Sequence, residues 1–146
     1  MHAWLQRVGY GNADTSGPVT EYWINGRLRV SVNEQLKFLT RFYNGDLPVA
    51  AGHITAVREA LNQKPGTVQN ARGMHPLTLG PGVDLNAKTG ATTLASGESV
   101  SWLVGQATAK GVRHVFAGAA WRASGGVDQL EGVRAVEQAL LAKGLR

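Results

Sequence analysis

At 146 residues, with 43% hydrophobic and 17% charged side chains, the chain suits one domain with a real core and excludes a disordered segment or a two-domain arrangement. Zero cysteines exclude disulfides, thiolate catalysis and cysteine-ligated metal, and leave the redox compartment open. The net charge of +5 raises a nucleic-acid reading, but the basic residues are scattered and come nearest to a cluster at Arg27-Leu28-Arg29. Attraction of small anionic substrates is an equally good use of the charge, and no nucleic-acid partner is expected. No apolar run is long enough to span a bilayer, so no membrane partner is expected either. Met1-His2-Ala3-Trp4-Leu5-Gln6-Arg7 lacks the basic-then-apolar order of a signal peptide, so the chain as written is expected in the cytoplasm.

In chain order, His2 to Val8 reads as a short helix with Trp4, Leu5 and Val8 on one side, stopped by Gly9 and Gly11. Tyr10 to Pro18 is a polar loop of turn-forming residues. Ser31 and Glu34 form a capping-box pattern, in which each side chain satisfies a free backbone N–H of the other's residue. It predicts a helix to about Tyr43, with Leu36, Leu39 and Phe42 or Tyr43 inward, ended by Asn44-Gly45-Asp46. Pro48 opens a second helical stretch with Ile54, Val57, Ala60 and Leu61 as its apolar stripe. Lys64 to Pro81, broken by Pro65 and Pro76, is a long loop, or at most a loop with short strand pieces; such loops are usually functional or mobile.

The period then changes. Leu85–Thr93, Ser99–Ala107 and Val112–Ala119 read as strands joined by turns at Ser96-Gly97 and Lys110-Gly111, short enough for antiparallel pairing. Val127–Lys143 closes the chain as an amphipathic helix, with Leu130, Val133, Val136, Leu140 and Leu141 on its apolar side and Gly144 past its end. The order predicts an α+β fold, an antiparallel sheet covered by helices. Three strands leave two edges, and these strands are apolar enough to need cover on both, which is the pattern of part of a larger sheet.

Two triplets could carry chemistry. On a strand, Lys88 and Gly90 point to one face and Thr89 to the other. A lysine, a hydroxyl and a bare backbone could hold a carboxylate while a ligand lies close, although a polar edge strand with a glycine kink reads the same way. Tyr10-Gly11-Asn12 is by itself a turn, in which Asn12 either faces a ligand or caps its own loop. Trp23 is a core aromatic by composition and a candidate N–H donor by chemistry. His2, His53, His75 and His114 are too dispersed to suggest a metal site, and the acidic residues form no paired motif.

Read together and in order, these pieces resemble class D β-lactamases, the oxacillinases. The likeness runs through Tyr10-Gly11-Asn12-Ala13-Asp14, Tyr22-Trp23-Ile24-Asn25-Gly26-Arg27-Leu28-Arg29-Val30-Ser31, Glu34-Gln35 and Phe38-Leu39. It continues in Lys88-Thr89-Gly90, Ser101-Trp102-Leu103-Val104-Gly105 and Val115-Phe116-Ala117. Penicillin-sensing receptor domains and transpeptidases of cell-wall synthesis share these signatures. The resemblance implies a β-lactamase/transpeptidase-like fold of which residues 1–146 form the C-terminal portion. It implies β-lactams as small-molecule partners, hydrolysed through an acyl-serine by the intact protein. It also implies that Tyr10 and Asn12 border the active site, that Lys88, Thr89 and Gly90 face the β-lactam and its carboxylate, and that the Ala91 N–H is half of an oxyanion hole. Trp23 would donate to a carboxylated lysine base, Trp102 would wall the pocket, and Arg134 would pair with the substrate carboxylate.

The departures carry equal weight. No serine here is followed three positions later by lysine, and no Ser-x-Val triplet suits the role: Ser31-Val32 is adjacent and Ser99-Val100 belongs to a strand. Gln106 replaces a tryptophan that often follows Val-Gly, Gly118 stands where a polar residue is common, and the segment before Lys88 is longer than usual. The chain alone is therefore expected to be inactive. No metal or cofactor is expected in it, and the CO2-derived lysine carbamate belongs to the intact protein. Intact family members are periplasmic or secreted. Expected partners include a complementing N-terminal fragment or a second copy. Two other readings stay open: a receptor acylated but not turned over, and a truncated basic binding module.

Overall fold

The computed structural model describes residues 1–24 and 27–146; Asn25 and Gly26, inside the Tyr22–Ser31 stretch quoted above, lie outside the described residues. The elements run α1 (His2–Val8), α2 (Val32–Asn44), α3 (Ala51–Leu61), β1 (Thr67–Asn70), β2 (Gly73–Pro76), β3 (Val83–Thr93), β4 (Ser99–Ala109), β5 (Val112–Arg122) and α4 (Glu131–Ala142). Among the described residues, β3-β4-β5 form one antiparallel sheet and β1-β2 a separate hairpin, which supplies the strand pieces expected in the loop after Lys64.

Local chemistry accounts for most boundaries. The Ser31 hydroxyl accepts from Glu34 N at 3.2 Å and the Glu34 carboxylate accepts from Ser31 N at 2.7 Å, so the capping box forms on both sides. At the far end of α2, Gly45 takes the left-handed conformation (φ 82°) that lets its N–H reach back to the last turn. The last helix starts at Glu131, later than the expected Val127. Asp128 is the reason: its carboxylate accepts from Leu130 N at 3.0 Å and holds the preceding residues in a turn.

The sheet separates two cores. On one face Leu85, Ala87, Leu103, Ala107 and Phe116 pack with Val133, Val136 and Leu140 of α4. On the other, Val104, Val115 and Ala117 meet Leu39, Phe42, Tyr43 and Ile54 of α2, α3 and their neighbours. Full burial of one such leucine contributes about 1.5–3 kcal/mol. Three expected inward residues are corrected here: Leu36, Val57 and Ala60 are exposed. On α2, Leu39 is buried as expected together with both Phe42 and Tyr43, and Gln35 is buried where Leu36 was expected. No helix among the described residues is long and apolar enough to cross a membrane.

Candidate active-site cleft

The strand alternation decides which groups of Lys88-Thr89-Gly90 are available. Lys88 pairs with Val104 and Gly90 with Trp102 across the β3–β4 ladder, on the sheet face that α2 covers. Lys88 and Gly90 are exposed there, while Thr89 is buried on the opposite face. The Thr89 hydroxyl donates to the Gln69 carbonyl at 3.0 Å, so it is already engaged by the β1–β2 hairpin. The Lys88 ammonium donates to the Thr89 carbonyl. A side chain added at Gly90 would meet nothing nearer than the Trp102 Cβ at 3.9 Å, so packing does not require glycine there.

The same alternation aims the backbone. In an antiparallel strand, N–H and C=O of one residue point to the same side, and the side switches with each residue. The Leu85 carbonyl accepts from Gln63 N at 2.9 Å and the Ala87 carbonyl from the Gln63 side chain at 2.9 Å, both beyond the outer edge. Leu94 N instead donates inward to Glu98 O at 2.7 Å across the β3–β4 turn. Odd-numbered residues of β3 therefore face outward, and the Ala91 N–H points off the open part of the edge.

Tyr10-Gly11-Asn12 approaches from the helical side. Gly11 is required there: its φ is +53°, and a Cβ would lie 2.2 Å from the Arg29 carbonyl oxygen. The Asn12 side chain is spent on its own loop, donating to Arg27 O at 2.9 Å and accepting from Arg29 N at 3.0 Å and Asp14 N at 3.2 Å. Tyr10 lies edge-on to Phe38, ring centroids 4.9 Å apart, and burial pushes its phenol up, so it stays a proton donor.

A cleft of about 540 Å³ joins these parts. Tyr10, Trp23, Lys88, Thr89, Gly90, Ala91 and Trp102 all line it, as do Ile24, Val30, Gln35, Thr92, Val100 and Val104. Trp23 stands half out in solvent, edge-on to Tyr22. A smaller cavity of about 240 Å³ flanks the other side of Lys88–Ala91, lined by Asn70, Ala71 and Gln129. Seven of the nine residues expected at the site thus converge. Asn12 and Arg134 do not line either space. Arg134 pairs with Asp128 at 2.7 Å near the surface. Hydrogen bonding from Leu130 N and then Arg134 holds the Asp128 carboxyl below its usual range.

Sequence reasoning missed Gln35 and Asn70. Gln35 is buried beside the cleft, on a stripe expected to be apolar. Asn70 turns its amide nitrogen into a buried position with no hydrogen-bond partner among the described residues, and its carbonyl oxygen accepts from Arg72 N and meets His75 Nε2. Gln35 stands within Glu34-Gln35 of the resemblance but carries no role there, and nothing in the Pro- and Gly-broken loop after Lys64 marks Asn70.

Comparison with known proteins follows this geometry. The family model described as the penicillin-binding protein transpeptidase domain matches residues 1–127. The chain is 37% identical over 59 residues to Beta-lactamase OXA-20 of Pseudomonas aeruginosa, a stretch that covers 40% of this chain and 22% of that protein. It superposes with a TM-score of 0.78 on the class D β-lactamase YbXI from Nostoc at 21% identity, covering 100% of this chain and 55% of that one. With the class D β-lactamase BAT-2 the TM-score is 0.75 at 25% identity, covering 100% and 53%. The fold is therefore that of class D β-lactamases, and the chain spans about half the length of the solved structures it matches.

Proposed function

This chain belongs to the penicillin-binding protein transpeptidase domain family, and on that premise we propose that it supplies one wall of a site that a β-lactam acylates at serine. The observation that carries the reading is the open stretch of β3. There Lys88, Gly90 and the outward Ala91 N–H share one cleft with Tyr10, Trp23 and Trp102.

Each of these residues has a job its position suits. The Ala91 N–H projects from a rigid strand edge, where it would meet negative charge developing on a β-lactam carbonyl oxygen without reorganising. Gly90 leaves the strand bare, so the ligand can lie along it. The Lys88 ammonium, parked on the Thr89 carbonyl, would turn to the ligand carboxylate. Thr89, committed to Gln69 O, steadies the strand. Trp102 and Tyr10 form the apolar floor and rim. Trp23 on the rim would offer its indole N–H to a carboxylated lysine, which supplies the general base in the resemblance. This chain has no Ser-x-x-Lys, so acylation and deacylation need groups from outside these 146 residues.

Amide NMR of the chain titrated with benzylpenicillin tests the reading. Shifts are expected at Tyr10, Lys88, Gly90, Ala91 and Trp102 and at the Trp23 indole, with no hydrolysis of a chromogenic cephalosporin above buffer. Shifts confined to other surfaces, or measured turnover by the chain alone, would overturn it.

A further inference from the structure

Strand β1 runs beside the outer edge of β3, yet among the described residues it pairs only with β2. Its direction follows from the path of the chain. Asn62 and Asn86 form an antiparallel bridge, with Gln63 N donating to Leu85 O at 2.9 Å. The chain then reverses at residues 64–66, where Thr67 N donates to Lys64 O at 3.1 Å. β1 is therefore parallel to β3, and Gln69 stands level with the stretch between Ala87 and Thr89.

A parallel rung at that level would set Gln69 N on Ala87 O and Thr89 N on Gln69 O. Both bonds are replaced by side chains. The Gln63 amide oxygen accepts from Gln69 N at 2.8 Å, and its nitrogen donates to Ala87 O at 2.9 Å and Leu61 O at 3.1 Å. The Thr89 hydroxyl donates to Gln69 O at 3.0 Å in place of the Thr89 N–H. The amide cannot be turned round, since its oxygen would then face two carbonyls and its nitrogen an N–H. A side-chain amide thus takes the place of a direct bond between two strands already in register. It satisfies the groups that pairing would satisfy, so the gap leaves neither Gln69 N nor Ala87 O orphaned.

The gap has a chemical consequence one rung further along. Direct pairing there would set Ala71 N on Thr89 O, now held by the Lys88 ammonium, and Ala91 N on Ala71 O. Instead Ala71 and Ala91 both line the cavity of about 240 Å³. An open strand edge is a template for any strand within reach, and the hairpin is tethered beside this one. We propose that Gln63 is a positioning residue: wedged between β1 and β3, its amide stops the chain's own hairpin from capturing the Ala91 N–H and holds that donor open for a ligand. Its value to a ligand rests on the role given to Ala91 above, whereas the wedge itself is read on the free chain.

Amide exchange of the ligand-free chain tests the wedge, with the penicillin titration run alongside. In Gln63→Ala the hairpin should close, slowing exchange of Ala91 at least about tenfold and abolishing its penicillin shift, while the β1–β2 amides stay protected. Gln63→Asn, one methylene too short to reach both strands, should move Ala91 in the same direction with less disturbance of the fold. In Gln63→Ala/Gln69→Pro the N–H that closure needs is gone, and the β1–β2 ladder is intact because Gln69 N faces β3. Ala91 exchange and its penicillin shift should return to wild-type values. A glutamine that only stabilises the hairpin predicts the reverse, with Ala91 exchange unchanged or faster in both single variants, and that result would overturn the proposal. Slowed exchange that Gln69→Pro fails to reverse would overturn it too. Closure in Gln63→Ala with no penicillin shift in the wild type would support the wedge and overturn only the function proposed above.

Discussion

The Tyr43 hydroxyl on α2 donates to the side-chain oxygen of Asn86 at 2.7 Å, two residues ahead of Lys88, and lies 3.0 Å from the Asn86 carbonyl. Asn86 closes the network by donating to Asn62 Oδ1 at 2.7 Å and to the Arg58 carbonyl. Arg58 and Arg113 both donate to the Tyr43 carbonyl at the end of α2. A buried polar knot thus registers the helical layer against the strand that carries Lys88-Thr89-Gly90.

Tyr43→Phe leaves Asn86 buried without that donor, which should cost about 1–3 kcal/mol. Burial raises the Tyr43 phenol to about 12 from 10.0, only partly opposed by the Arg58 charge. The native state therefore keeps this proton where the unfolded chain has lost it. Its contribution is complete below pH 10 and is lost as pH rises towards 12. Urea midpoints of the wild-type chain should fall through that window. The variant should start lower and fall less steeply, with Tyr10 supplying the remaining slope. Parallel curves would remove the phenol from the explanation.

A comparison of two glycines separates site from scaffold. A Cβ at Gly132 would stand 2.4 Å from the Ser101 carbonyl oxygen, in the contact where Gly132 N donates to Ser101 Oγ and that hydroxyl donates to Gln129 O. The obstacle is backbone and cannot swing aside, so Gly132→Ala should lose about 1–3 kcal/mol or more by pushing α4 off the sheet. Gly90→Ala meets only ordinary contact with Trp102 and should leave the thermal midpoint nearly unchanged. Its effect should appear in the penicillin titration, as smaller shifts at Ala91. A large loss of stability in Gly90→Ala would make that glycine a packing residue.

These pairs also mark what a sequence can disclose. The Ser31–Glu34 box, the turns at Gly97 and Gly111 and the alternation through Lys88 are local, and each holds in the structure. What failed was the facing of helices. Leu36 looks inward by spacing, but where the sheet lies against α2 is a tertiary fact, and it selects Gln35 instead. Gly118 stands out in the sequence only as a departure from the family pattern and Gly132 carries no signal, yet at each α4 lies close against the sheet. Of the site, the strand was legible because its chemistry is contiguous. Asn70 was not, because only the β1–β2 hairpin brings it beside Lys88.

Lys88 and Arg134 are the two cations that the resemblance places on a substrate carboxylate, and they occupy different surroundings. Lys88 lines both cavities and, among the described residues, its ammonium donates to the neighbouring Thr89 carbonyl, a contact a carboxylate can replace. Arg134 is half-exposed on α4 and held by Asp128 at 2.7 Å, and it lines neither cavity. Lys88→Met should therefore weaken benzylpenicillin binding about tenfold or more, since a hydrogen bond to a charged group contributes about 1.5–3 kcal/mol. Arg134→Gln should leave binding within about twofold and affect only exposed electrostatics, which salt screens in the wild type as well. The Ala91 amide shift, followed against penicillin concentration at low and high salt, reads both variants. Equal weakening by the two substitutions would mean that the chain's overall positive charge attracts the ligand and that Lys88 does not hold it.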